Sequence, residues 1–339
     1  MSGPKYYAIL KWKAGEQKAV QQLAAGDREP MLPVLELQEI TGGLTPAHVV
    51  AALGKAKAGD WPIGLDLGQV QSPVTFASLM KYCNAAAKAG HVAYPVVNAP
   101  DLFGQLTNVA TLNGASGVVL RLRLQMITLA GTRAAISDVR KAIGKDAPLH
   151  VIYDFGAIGE VDATALSAFA EPFVRDTIAQ GQATNVAMAG GSFPMYLTGV
   201  PMGTNLLPRR EWQAWQVLRT KLGCTNVRFG DYNVSNPEPL GGLDPRFMDP
   251  SAAIRYALDG EWLVLKAKQA KKHGFSQYNT LCRVLTRHPH FFGSTFSFGD
   301  GRYDYHAQPN SSSGSFMTWR RDAASHHLVQ TSRQLDALI

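Results

Sequence analysis

The chain has 339 residues, 46% of them apolar and only 17% charged, with 33 Lys and Arg against 26 Asp and Glu for a net charge of +7. Low charge with ample apolar content excludes a disordered chain and supplies a large core. The three cysteines, Cys83, Cys224 and Cys282, are far apart and form no CxxC pair, which excludes a disulfide framework or a zinc ribbon.

No apolar run reaches the roughly 18 residues of a membrane span, so no membrane association is expected. Met1 to Lys5 leads straight into a strand-like segment without a leader pattern, and the expected compartment is a reducing cytoplasm.

Eight short apolar runs punctuate the first 231 residues, each ending at a polar or small residue. In order they are Tyr6–Lys11, Leu32–Glu36, Pro62–Asp66, Ala93–Asn98, Gly117–Arg121, Leu149–Asp154, Asn185–Gly190 and Asn226–Asp231. Such runs, rich in β-branched residues, suit parallel strands buried on both faces. Helical patterns lie between them: Thr45 to Ala58 with Pro46 at its start, Ser72-Pro73 to Lys88, Arg133 to Ile143, Asp162 to Gln180 and Arg209 to Leu222. Glycines such as Gly181 and Gly223 follow the last turns, where a left-handed residue stops a helix.

The runs begin between about 24 and 41 residues apart, the size of one βα unit. Eight such units make a (β/α)8 barrel of the TIM type, an α/β fold. A doubly wound sheet is the alternative, but the first turn, Lys11 to Glu16, carries no GxGxxG.

Beyond residue 231 the pattern changes. Asn233 to Pro250 reads as a loop, Tyr256 to Leu265 as a hairpin turning at Asp259-Gly260, and Tyr278 to Thr286 as a helix. Phe291 to Tyr305 is aromatic and Gly-rich, Asn310 to Ser315 is a polar loop, and Ser325 caps a last helix. The division is barrel strands 1–8 with helices 1–7 in 1–232, a long insertion or lid between strand 8 and helix 8 in 233–324, and a barrel-completing helix in 325–339.

Strand C-termini build the site of such a barrel. Here they are Lys11, Glu36, Asp66, Asn98, Arg121, Asp154, Gly190 and Asp231, with Lys13, Arg123, Ser192 and Tyr232 beside them. Charged groups after buried runs are costly unless paired or exposed. They can close the barrel top as ion pairs, with Lys11 and Arg121 neutralising Glu36, Asp66 and Asp154. They can instead line a pocket for a small anionic or polyhydroxylated ligand.

Three chemistries fit the second reading. Glu36, Asp66, Asp154 and Asp231 are hard donors suited to Mg or Mn in a phosphodiesterase-like hydrolase, with Lys11 or Arg121 on a phosphoryl oxygen. Lys11 could form a Schiff base, although the surrounding acids should raise its pKa. A carboxylate pair could act as in glycosidases. On the site reading, Asp66→Ala abolishes binding or turnover and leaves the fold intact.

The tail adds Asp300, Trp319, Arg320, His326 and His327. Consecutive histidines on a helix point about 100° apart, which disfavours a shared metal. The cluster Lys266, Lys268, Lys271 and Lys272 is a solvated face or an anion patch; with Arg320 and Arg321 it could contact nucleic acid, with affinity falling steeply with salt. Walker, GxSxG and HExxH motifs are absent from the chain.

Ile9-Leu10-Lys11-Trp12-Lys13-Ala14-Gly15-Glu16 resembles the opening PILKWKxGE of the beta family proteins, with Ala8 in place of the usual Pro. Phe296-Ser297-Phe298-Gly299-Asp300, Gly314, Thr318-Trp319-Arg320 and His326-His327 are similar to that family's FSxGD…G…TWR…HH ending, with Ser315 where Asn is usual. The resemblance implies phage or anti-phage defence context and supplies no catalytic residue. It points to two groups, Lys11, Lys13 and Glu16, and Asp300, Trp319, Arg320, His326 and His327, which a barrel-closing last helix would make neighbours. The reading that emerges is a barrel binding a phosphate-bearing anion at its mouth, with or without hydrolysis. The alternatives are a non-catalytic interaction or sensor module with a protein partner, and a nucleic-acid-binding protein.

Overall fold

The computed structural model describes residues 3–37, 44–68, 76–98, 110–123, 127–223, 226–238 and 248–338. Cys224 and the Ser72-Pro73 helix opening lie outside the described residues. In chain order the strands are β1 (Tyr6–Leu10), β2 (Val34–Glu36), β3 (Ile63–Asp66), β4 (Ala93–Asn98), β5 (Val118–Arg123), β6 (Leu149–Ala157), β7 (Asn185–Gly191), β8 (Gly203–Pro208), β9 (Val227–Asp231), β10 (Ser251–Ala257) and β11 (Glu261–Gln269).

All but β8, β10 and β11 join in a closed parallel barrel, sealed where β1 pairs with β9 through Tyr6–Phe229, Tyr7–Gly230 and Ala8–Asp231. This is the (β/α)8 barrel expected from the eight apolar runs. The helices between strands follow their end signals. Thr45 Oγ1 accepts the His48 N–H and Asp162 Oδ1 accepts that of Ala165, while Gly181 at φ 64° stops the helix Ala163–Gln180.

Side chains on a strand alternate between faces. One set, including Ile9, Val34, Val96, Val119, Ile152 and Ala187, fills the barrel interior; the other, including Ala8, Leu35, Leu65, Leu120, Val151 and Phe229, packs beneath the outer helices.

The lid differs from expectation in two places. First, β10 and β11 form the hairpin read from the sequence, but β8, from the segment after β7, adds a third antiparallel strand along β11, from Lys266–Gly203 to Glu261–Pro208. Second, the last helix is Phe316–Leu338. Ser325 therefore caps nothing: it is buried within the helix, and its hydroxyl accepts the Gly299 N–H. The polar loop before the helix hid its first turns.

The Phe316–Leu338 helix is shared between two cores. His327, Leu328 and Val329 are buried against the barrel side, while Trp319 joins the lid core of Ile254, Tyr256, Leu263, Leu281 and Tyr303. Among the described residues no helix is long and apolar enough to cross a membrane.

Candidate functional site

The strand ends sort by the face their side chains take. Glu36, Asp66, Arg121 and Asp154 follow interior residues by two positions, so their heads meet on the barrel axis. Arg121, 0% exposed, is the hub. Its Nη1 donates to Glu36 Oε1 at 2.9 Å and to Asp66 Oδ2, its Nε to Asp154 Oδ2 at 2.8 Å, and its Nη2 to the Tyr232 hydroxyl at 2.6 Å. Tyr232 donates onward to Asp154 Oδ2 at 2.6 Å. Asn98 Nδ2 and the Gly68 N–H serve Asp66 Oδ1.

Burial works against the Arg121 charge, but Tyr232 and the three carboxylates outweigh it and hold it above its ordinary range. Burial raises Glu36, against the pull of Arg121. The guanidinium thus occupies the place a cation would take among these acids. The cluster does not fit Mg or Mn. Among the described residues no group of three or more His, Cys, Asp or Glu side chains is arranged for a metal.

Asp231 departs from the sequence grouping. It continues the outward face of β9, following Phe229, so it points toward the C-terminal helix instead of the axis. Its Oδ1 accepts from the Tyr6 hydroxyl at 2.6 Å and its Oδ2 lies 2.7 Å from His327 Nε2, with Arg209 Nη2 at 3.6 Å. Burial alone would raise Asp231, but His327, Arg209 and Tyr6 prevail and hold it low. The next residue, Tyr232, takes the inward position.

Asp300 holds the lid to the same helix. Its Oδ1 accepts from Tyr256 at 2.7 Å and its Oδ2 lies 2.8 Å from His326 Nδ1, whose ring stacks on Tyr256 at 3.7 Å. The two histidines therefore face different carboxylates, His326 that of Asp300 and His327 that of Asp231. The Ser192 hydroxyl accepts the Arg210 N–H and donates to Pro208 O at the start of the helix Arg210–Leu222.

Lys11 Nζ donates to Glu238 O at 2.8 Å. Burial lowers its pKa, with Glu36 opposing, so desolvation reverses the rise expected from the neighbouring acids. An ideal Cβ on Gly68 would lie 3.4 Å from Arg123 Nη2 and 3.0 Å from Asp66 Oδ1, which sets Arg123 beside the Asp66 end of the cluster.

The two ends of the chain do meet. A Cβ on Gly15 would stand 3.1 Å from Arg320 Cγ, so the first βα turn lies close against the last helix. Above that contact opens a cleft of about 1200 Å³, bounded by Lys13–Gly15, the segment 195–202, the lid strands β10 and β11, and the start of the Phe316–Leu338 helix.

Its cations are Lys13, Arg255, Lys266, Lys268 and Arg320. Its acid is Asp249, already accepting the N–H groups of Lys271 and Lys272. Arg255 Nη1 and Arg320 Nη1 both donate to Val234 O, at 2.6 and 2.9 Å. Neither makes an ion pair among the described residues. Burial, then the facing Arg320, pushes Arg255 down to about 9. Burial also lowers Arg320, with Glu16 opposing.

Arg255 escaped sequence reasoning. The alternation in Ile254-Arg255-Tyr256 was its signal: two core residues flank one that must face the other side of the sheet.

Fold and site together define a TIM-type (β/α)8-barrel protein with an antiparallel lid and a cationic cleft at its mouth. The chain matches the Beta protein family over residues 6–333, nearly its whole length, and belongs to that family. No curated protein sequence matches it. Among solved structures it is similar to the triosephosphate isomerase of Bartonella henselae, with 11% identity, 67% of this chain and 91% of that one covered, and a TM-score of 0.33. The barrel assignment stands on the chain's own closed strand order.

Proposed function

We propose that the protein binds a small phosphate-bearing anion in the cleft over the barrel mouth. The setting taken from the family resemblance is phage–host conflict in the cytoplasm. The observation that carries the reading is the Arg255–Arg320 pair: two like charges drawn to one carbonyl, neither in an ion pair among the described residues, facing a cleft whose lining holds one acid, Asp249. An anion placed there relieves their repulsion and accepts the fork of donors that guanidinium groups offer. Lys13 and Lys268 extend the positive wall. Glu36, Asp66 and Asp154 are committed to Arg121, and Asp231 to His327 and Tyr6, which favours binding over metal-assisted hydrolysis.

Calorimetric titration with inorganic phosphate at low salt tests this. Binding should weaken at least tenfold in Arg320→Met and persist in Asp66→Ala. Loss of binding in a folded Asp66→Ala variant would move the site back to the strand-end carboxylates. Failure of the wild-type protein to bind phosphate at millimolar concentration would refute the reading. Mn-dependent cleavage of bis(p-nitrophenyl) phosphate that is lost in Asp154→Ala would restore the hydrolase alternative.

A further inference from the structure

The cleft is far larger than a phosphate needs, and methionines are prominent in the part the cations leave over. Small-molecule sites usually span about 300–1,000 Å³, and this one holds about 1200 Å³. Beyond the guanidinium pair its wall is built by Met195, Leu197, Met202, Met248 and Met317, so four of the chain's 9 methionines line one cavity. Met202 is 65% exposed and Met317 39% exposed.

Unbranched thioethers adapt to flexible apolar guests. Of the aromatic residues in the lining, Tyr196 is 46% exposed, Phe316 packs edge-on against Phe275, and the other two are stacked. Trp319 lies under Tyr278, stacked at 4.2 Å and 7°, and Tyr278 stacks in turn against Phe275 at 6.1 Å and 23°. Tyr196 is the one ring of the lining that stands largely exposed, so two exposed faces do not flank a slot for a nucleobase, and Gln269 is the one side-chain amide in the lining that could read a base edge.

Resting on the anion-binding reading, we propose that the ligand is an amphipathic organic phosphate. Its head sits on Arg255 and Arg320, and an aliphatic chain lies along the methionine wall. The head relieves the repulsion of two guanidiniums drawn to one carbonyl, and the chain removes exposed thioether surface from water.

Titration of the full chain with methyl, butyl and octyl phosphate, with AMP and inorganic phosphate beside them, tests this. Affinity should rise about two- to fourfold for each added methylene, the increment of burying a CH₂ group. AMP should bind no tighter than methyl phosphate.

A flat alkyl series on top of measurable phosphate binding overturns this inference and leaves the anion reading standing. Absence of binding throughout overturns both. AMP exceeding butyl phosphate, or adsorption to anionic vesicles without binding of monomeric octyl phosphate, overturns the aliphatic cleft. The double variant Met202→Ser, Met317→Ser alters two exposed positions, so it should fold. In it the octyl-to-methyl affinity ratio should fall at least tenfold, and an unchanged ratio speaks against the methionine wall.

Discussion

Replacing Arg121 by Met keeps the length of the side chain and removes its charge from the centre of the barrel. The guanidinium makes bonds of 2.9 Å to Glu36, 2.8 Å to Asp154 and 2.6 Å to Tyr232, and a further one to Asp66, all out of contact with water. The variant leaves three buried acids facing one another. Removing one partner of a buried ion pair costs about 3–5 kcal/mol, a third or more of the roughly 5–15 kcal/mol that hold a typical domain folded.

The cost does not reach three times that figure, because burial already draws Glu36 toward its neutral form. Urea unfolding is the assay. With a slope of about 1–3 kcal/mol per molar, the midpoint should fall by at least about 1 M at neutral pH.

The variant should also change its pH response. Without Arg121 nothing offsets the burial that raises Glu36, so its folded-state pKa moves further above the unfolded value. The folded state then binds more protons, so stability falls as pH rises and returns on acidification. The deficit should therefore narrow between about pH 7 and pH 5. A midpoint unchanged at neutral pH with an unchanged slope would refute the claim that Arg121 neutralises the barrel mouth.

Two further outcomes follow from buried groups in the lid. Burial raises Asp322 to about 6, with Arg321 opposing, and its Oδ2 has no hydrogen-bond partner. Its folded value lies above the unfolded one, so its contribution is fully present below about pH 4 and is lost as pH rises through 6. Asp322→Asn should flatten that slope, gaining about 1–3 kcal/mol on wild type between acid and neutral pH, read from urea midpoints across the range. Gly299 lies so close to the Asp322 carbonyl that a Cβ there overlaps backbone, and its N–H donates to Ser325. Gly299→Ala should push the helix Phe298–Ala307 off the C-terminal helix at a cost of about 1–3 kcal/mol or more. Faster hydrogen exchange in Phe298–Ala307 than in β1–β7 would show it; uniform exchange would count against that packing.

The barrel was legible because its information is local and periodic. Eight apolar runs at βα spacing, with Thr45, Asp162 and Gly181 at helix ends, need only strand burial and cap chemistry to be read. The strand-end residues were legible as a set, yet their partners were not. Asp231 and Asp154 look alike after an apolar run, but one continues the outward face and meets His327, and the other continues the inward face and meets Arg121. A shift of one residue changes the face, and only the register across neighbouring strands sets which face is inside.

Strand β8 was hidden for a related reason. Gly203–Pro208 is half exposed and becomes a strand only by pairing with β11, more than fifty residues later. The cleft was hidden most deeply, since Gly15, Arg255 and Arg320 come from three distant segments. Each is ordinary where it stands in the chain. Closure of the barrel by β1 and β9, with the last helix laid beside the first turn, brings two guanidiniums onto one carbonyl. Charge of that kind is a property of distance in space, which tertiary packing alone decides.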